Sequence, residues 1–291
     1  MSAPGERTGL EALAGTGLSL LKVSTLLARY AANAALPTHP NPLTHFGGKI
    51  YSQNDEDGIT FEILRRLRLE RGVFAEFGVG KGLENNTLAL IAAGWPGFWV
   101  GCEELAFNPN PRNVQRLNFS YQKAWVRASN IRQLHDRGLE QIRQRRCDVV
   151  SLDLDGNDWY FVQALLEGGL RPHLFIVEYN AKFMPPIRFK IEYDDDHRWM
   201  GDDYFGASLC SFVDLFASND YFLACCNLTG ANAFFVRGEF REAFADVPSE
   251  IERLYASPKY FLTGLDYPGH PPSLRTIEML FQAVNSGRDS I

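Results

Sequence analysis

The sequence predicts an α/β fold: a mostly parallel, seven-stranded sheet with helices on both faces and a C-terminal antiparallel hairpin. Three observations carry this expectation. Short apolar runs alternate with stretches of helical spacing, from residues 73–77 to residues 173–179. Two β-rich runs, 221–226 and 232–237, then follow with only a short turn at Thr229-Gly230 between them. A glycine-rich turn, Gly78-Val79-Gly80-Lys81-Gly82, directly follows the first apolar run.

The elements read in order as follows. Ile59, Ile63, Leu64 and Leu67 have helical spacing, with Asp55 or Asp57 as N-cap and Gly72 as the stop. Residues 73–77 form the first strand. Asn85 or Asn86 caps a helix that runs through Ala93 and stops at Gly94. Residues 97–102 and 123–128 read as the second and third strands, followed by a helix from Ile131 to about Arg145. Residues 147–152 are the fourth strand, 158–166 a helix and 173–179 the fifth strand. The long segment 180–205 breaks the rhythm, and 207–217 returns to helix before the hairpin. Near-continuous apolar strands joined through helices imply a parallel sheet covered on both faces.

Residues 1–45 read as an N-terminal helical extension and linker, with Pro37, Pro40 and Pro42 marking the junction. Residues 46–240 form the main domain, and 241–291 a C-terminal helical segment packed on it. Leu10, Leu13, Leu20 and Leu27 share one helical stripe. That stripe suits packing on the domain or on a second subunit, as in a homo-oligomer. The alternative is a peripheral membrane helix that meets a lipid-linked substrate.

Composition narrows the class. The net charge of −6 argues against nucleic acid as partner. The one dense basic run, residues 141–146, reads as a solvated helix face. The five cysteines are odd in number and lack C-x-x-C spacing. They read as buried thiols of a cytoplasmic protein, not as zinc ligands or disulfides. No apolar run reaches the ~18–20 residues that span a bilayer.

The chemistry concentrates at predicted strand ends, where ligands bind in open α/β sheets. Gly78, Gly80 and Gly82 let the backbone turn sharply and bring N–H groups close to a ligand. Glu76 precedes them at the end of the first strand. Glu103 closes the second strand about twenty residues on, the spacing of an acid that takes ribose hydroxyls. Ser129 and Asn130 follow the third strand, the fourth ends in Ser151-Leu152-Asp153-Leu154-Asp155-Gly156-Asn157-Asp158, and the fifth in Glu178-Tyr179-Asn180.

These motifs resemble the S-adenosylmethionine-dependent methyltransferases, and in particular the FkbM-like sugar O-methyltransferases. The resemblance covers about residues 50–237 and includes Ser52-Gln53-Asn54-Asp55-Glu56-Asp57, the Glu76–Gly82 turn with Asn85-Asn86-Thr87, and Gly94-Trp95-Pro96-Gly97. It implies a Rossmann-like methyltransferase fold and S-adenosyl-L-methionine as cofactor, held by Gln53, Asn54, Glu76, Gly78, Gly80, Gly82, Asn86, Thr87, Glu103, Ser129, Asn130 and Asp153. It implies a sugar or glycan hydroxyl as acceptor, as in polysaccharide biosynthesis. Two chemistries stay open at the acidic cluster. One is a divalent metal, Mg2+ or Mn2+, on Asp155, Glu178 and Asn180, similar to metal-dependent sugar O-methyltransferases, although Asp155-Gly156-Asn157 departs from their D-G-D. The other is direct base catalysis by Asp155 or Asp158, with His197 as a further candidate. Segment 180–205 reads as an acceptor lid. Two other functions compete: a glycosyltransferase that uses Asp153-Leu154-Asp155 as a D-x-D motif, and a non-catalytic interaction module.

Overall fold

The computed structural model of the chain describes residues 39–107 and 118–259. The predicted N-terminal stripe and residues 260–291 of the predicted C-terminal segment lie outside the described residues. In chain order the elements are α1 (Glu56–Arg66), β1 (Phe74–Phe77), α2 (Leu88–Ala92), β2 (Gly97–Gly101), β3 (Phe119–Lys123), α3 (Ile131–Gln141), β4 (Val149–Leu152), α4 (Asp158–Glu167), β5 (Leu174–Glu178), α5 (Leu209–Ala217), β6 (Tyr221–Cys226), β7 (Asn232–Arg237) and α6 (Ile251–Leu254). Short 3-10 helices occupy Pro42–Phe46 and Gly238–Phe244.

The seven strands form one sheet in the order β3-β2-β1-β4-β5-β7-β6. Strands β1 to β5 pair in parallel, and β7 is antiparallel to both β5 and β6. The central strands carry apolar side chains on both faces: β4 is wholly buried, and only Glu178 at the end of β5 reaches solvent. Right-handed crossovers dictate where the helices go. The order moves outward from β1 to β3 and then returns to β4 and β5, so α3 and α4 cover the face opposite α2. Packing of α3 on β2, β3 and α4, and of α4 on α5, continues that layer. Phe74, Phe77, Phe98, Trp99, Phe175, Phe234 and Phe235 fill the core. No helix among the described residues is long and apolar enough to cross a membrane.

Four sequence expectations need correction. The third strand is Phe119–Lys123, not 123–128. It is an edge strand, partly exposed, so it alternates polar and apolar residues and offers no apolar run to read. The helix after it ends at Gln141, and Arg143 has φ +54°, so the basic run 141–146 is mostly a turn and not a helix face. Within residues 241–259 the C-terminal segment is helical only in short pieces. The cysteines are all unbridged, but Cys102 is exposed.

Asp55 precedes α1 without capping it. Its carboxylate accepts the Leu228 N–H and so ties the start of α1 to the β6–β7 turn. Burial, then the neighbouring Glu56, pushes its pKa up to about 7. Folding therefore favours the protonated acid. The stability it permits is full below the unfolded pKa of ~4 and is lost as pH rises through about 7. Asp55→Asn keeps an acceptor for Leu228 without the charge. Urea midpoints at pH 5 and pH 8 should differ less, in the direction of loss at high pH, for the variant than for the wild type. Equal differences would refute this account.

Candidate active site

A cleft opens at the carboxyl ends of β1, β2, β3 and β4, where the strand order places their loops side by side. Gly78 and Gly80 floor it after β1; Gly101, Cys102 and Glu103 flank it after β2; Ala124, Trp125 and Val126 follow β3. Residues Asp153 to Asn157, with Phe161 and His197, close the other side. Gly78 has φ +90°, and a Cβ there would stand 1.6 Å from the Asp153 carbonyl oxygen. Glycine is thus what lets the β1 and β4 ends approach. At Gly80 a Cβ would meet nothing within 4 Å and would occupy the cleft itself. The cleft has a volume of about 160 Å³, below the ~300 Å³ common for small-molecule sites.

Several predicted contacts fall elsewhere. Glu76 is buried inside the protein: Oε1 accepts the Asn86 N–H at 3.0 Å, and Oε2 accepts the Thr87 N–H at 3.0 Å and its hydroxyl at 2.5 Å. Thr87 in turn accepts the Trp99 indole N–H, and the Asn86 amide donates to Ser151. Glu76, Asn86 and Thr87 therefore brace the glycine turn from behind and do not line the cleft. Glu76→Gln must turn an NH2 toward one of these donors. It should cost roughly 2 kcal/mol, or about 4–8 °C in Tm. A thermal melt within 1 °C of wild type would contradict this role.

Gly82, φ +80°, lies against Trp99 and Leu105. Exposed Gln53 and the neighbouring Asn54 belong to a loop that Glu56 and Asp57 organise. Asp57 Oδ2 accepts the N–H groups of Ile50, Tyr51 and Ser52, and Glu56 accepts those of Asn54, Asn227 and Asn232. Ser129 is exposed outside the cleft. Asn130 is spent on Arg127 N–H and the Trp125 carbonyl, a staple of the loop after β3. These two corrections follow from the register of β3. Its true end delivers Ala124, Trp125 and Val126 to the cleft.

The acids separate into two kinds. Oxygens of Asp153, Asp155 and Glu178 all lie within 4.8 Å of one another. Burial, then mutual repulsion, raises the pKa values of Asp153 and Glu178 well above the carboxylate range; the protein packed around Asp155 raises its pKa by desolvation, although its side chain reaches solvent at the cleft. Glu178 Oε2 is buried without a hydrogen-bond partner. Such an oxygen is costly unless a proton or a cation meets it. Asp155 is held at φ +54°, in the left-handed region, so the turn presents its carboxylate beside Asp153. Asp158, by contrast, is fully buried and accepts the Leu154 and Gly156 N–H groups. Burial lifts its pKa to about 6 against the pull of those bonds. It holds the loop and does not face an acceptor. Asn180 is likewise no ligand: its amide donates to the Asp203 and Phe205 carbonyls, and its oxygen accepts the Lys182 N–H. The candidate metal set is Asp153, Asp155 and Glu178.

Segment 180–206 has a small core of its own, Phe183, Phe189, Ile191 and Tyr204. Its stretch 193–197 crosses the cleft from β4 to β3. The Trp125 indole donates to the Asp195 carbonyl, Arg127 pairs with Asp196, and the Tyr193 hydroxyl accepts the Ala128 N–H. His197 lines the cleft, with its ring against Gly156. No family model matches this chain, and no curated protein matches it significantly.

Proposed function

We propose that the chain is a cytoplasmic S-adenosylmethionine-dependent O-methyltransferase of Rossmann-like fold that acts on a sugar or glycan hydroxyl. The observation that carries this reading is the cleft. A glycine floor, an acid after β2 and a group of three carboxylates lie along one sheet edge. The strand order also supports it. A dinucleotide-binding sheet runs 3-2-1-4-5-6, whereas here an antiparallel strand is inserted next to β5.

The bound cofactor supplies an electrophilic methyl group on a sulfonium. Gly80, bare of a side chain, leaves room for its amino-acid portion. Glu103 would accept hydrogen bonds from the ribose hydroxyls, and the Ala124–Val126 backbone with Trp125 would flank the adenine. Methyl transfer to an acceptor hydroxyl would require a group that takes the hydroxyl proton. Asp155, exposed at the cleft, would take that proton. In the alternative chemistry, a divalent cation fits the hard oxygens of Asp153, Asp155 and Glu178 and would lower the pKa of a hydroxyl bound to it.

Calorimetry with S-adenosylmethionine and its demethylated product, followed by transfer of labelled methyl to glycan acceptors, tests the proposal. Absence of binding by both nucleosides overturns it. One observation favours a second reading, a glycosyltransferase: the Asp153 and Asp155 carboxylates of the D-x-D do converge. Thermal stabilisation by a nucleotide-sugar with Mn2+, and not by S-adenosylmethionine, would select that alternative.

A further inference from the structure

Asn157 occupies the N-cap of α4 yet makes no side-chain bond to that helix. Its amide is committed elsewhere. Nδ2 donates to the Asp194 carbonyl at 2.7 Å, and Oδ1 accepts the Asp194 N–H at 3.3 Å. Asn157 is itself 7% exposed, and the pairing with exposed Asp194 is partly buried. The same Asp194 carbonyl accepts the His197 N–H at 3.1 Å, and Asp194 Oδ1 accepts the Asp196 N–H at 3.0 Å. Asp194 to His197 is thus a tight turn whose first residue is held by the Asn157 side chain and whose next two are tied to Trp125 and Arg127. The next link is steric. A Cβ on Gly156 would stand 2.5 Å from His197 Cδ2, so the imidazole rests directly on the Gly156 backbone. Gly156 leaves the space and Asn157, its neighbour, sets the height of the turn above it.

We infer that Asn157 is a positioning residue that seats His197 over Gly156 in the cleft that also holds Asp155, where the acceptor hydroxyl would enter. The functional part rests on the methyl-transfer reading; the geometric part does not. Only a side chain that both donates and accepts can clamp the N–H and C=O of one residue in this way. Aspartate, nearly identical in shape, can accept from the Asp194 N–H but presents an oxygen to the Asp194 carbonyl. This explains why an amide stands at the third position of Asp155-Gly156-Asn157. The residue faces the turn and not the three carboxylates.

The test uses full-length protein carrying Asn157→Asp, with Asn157→Ala beside it as the variant that adds no charge. Histidine rings are labelled with 13C, and His197→Gln assigns one resonance among the six histidines. In both Asn157 variants the His197 resonance should move toward the free-histidine position while the others stay. An unmoved resonance overturns the inference. In the methyl-transfer assay, kcat/KM for the acceptor should fall by about tenfold or more, with product-nucleoside affinity within about twofold of wild type. Parallel loss of acceptor turnover and nucleoside affinity would mark a merely structural role and overturn it as well. If the wild type binds no nucleoside, the methyl-transfer reading fails, yet the ring resonance still decides the geometry. Should Asn157→Asp fail to fold, Asn157→Ala gives the same readout.

Discussion

Gly78→Ala should destabilise the native fold by roughly 2–4 kcal/mol, whereas Gly80→Ala, two residues on, should leave the fold intact and weaken nucleoside binding. At Gly78 the added methyl would meet a backbone carbonyl at 1.6 Å in a left-handed conformation. The obstacle is the Asp153 peptide at the end of β4, so no side chain can swing aside to relieve it. Strands β1 and β4 are central neighbours, and prying them apart opens the core at Phe77 and Leu152. Overpacking with a backbone shift costs roughly 1–3 kcal/mol, and the positive φ adds about 1 kcal/mol more. The sum is a large part of the ~5–15 kcal/mol that stabilises a typical domain. At Gly80 the same methyl meets nothing, and the backbone at φ +47° tolerates it for about 1 kcal/mol. Its cost falls on the ligand, whose affinity should drop about tenfold or more, equivalent to ~1.4 kcal/mol. Thermal melts and calorimetry with the demethylated product separate the two effects. A Gly78→Ala that melts with wild-type stability, or a Gly80→Ala that binds at full strength, contradicts the assignment of floor and hinge.

The sheet was legible because burial leaves a strong signal. Strands β4 and β5 are apolar on both faces, and the β6–β7 hairpin announces itself through its turn. Strand β3 was not, since an edge strand with one wet face lacks that signal, and the misplaced end carried Ser129 and Asn130 into the predicted site. The acids show a deeper limit. Glu76, Asp57, Asp158 and Asp155 are all polar residues next to turns, and sequence spacing does not distinguish a carboxylate that faces a ligand from one that faces backbone N–H groups. Three of these four collect backbone donors and build the loops. Asp155 and its partners Asp153 and Glu178 converge. That difference depends on the left-handed turn at Asp155 and on contacts across β4 and β5, which are long-range facts. Asn157 escaped for the same reason: its partner, Asp194, is 37 residues away.

Glu178→Gln should stabilise the metal-free protein, abolish its response to Mn2+ and suppress turnover. Glu178 is the member of the acid group that lacks a partner for one buried oxygen. Asp153 and Asp155 crowd it, and burial holds both it and Asp153 toward the neutral form. The sign follows directly. Acids whose folded pKa values are raised favour the folded state at low pH, and that stability is lost as pH rises through those values. Removing one charge from the group should therefore flatten the decline on the alkaline side. A cation inverts the trend, because it binds the ionised acids and releases their protons. In the wild type, stabilisation by Mn2+ should grow with pH and reach about 2.7 kcal/mol at a hundredfold excess over Kd, or roughly 5–10 °C in Tm. Calorimetry in buffers of different ionisation enthalpy should register the released protons. The glutamine variant keeps the shape of the side chain but offers a neutral oxygen, so its melt should be the same in Mn2+ and in chelator. The converse pattern, a wild type indifferent to the ion and a variant less stable at every pH, would mean that Glu178 serves the fold and that the hydroxyl's proton is handled without a metal at this edge of the sheet.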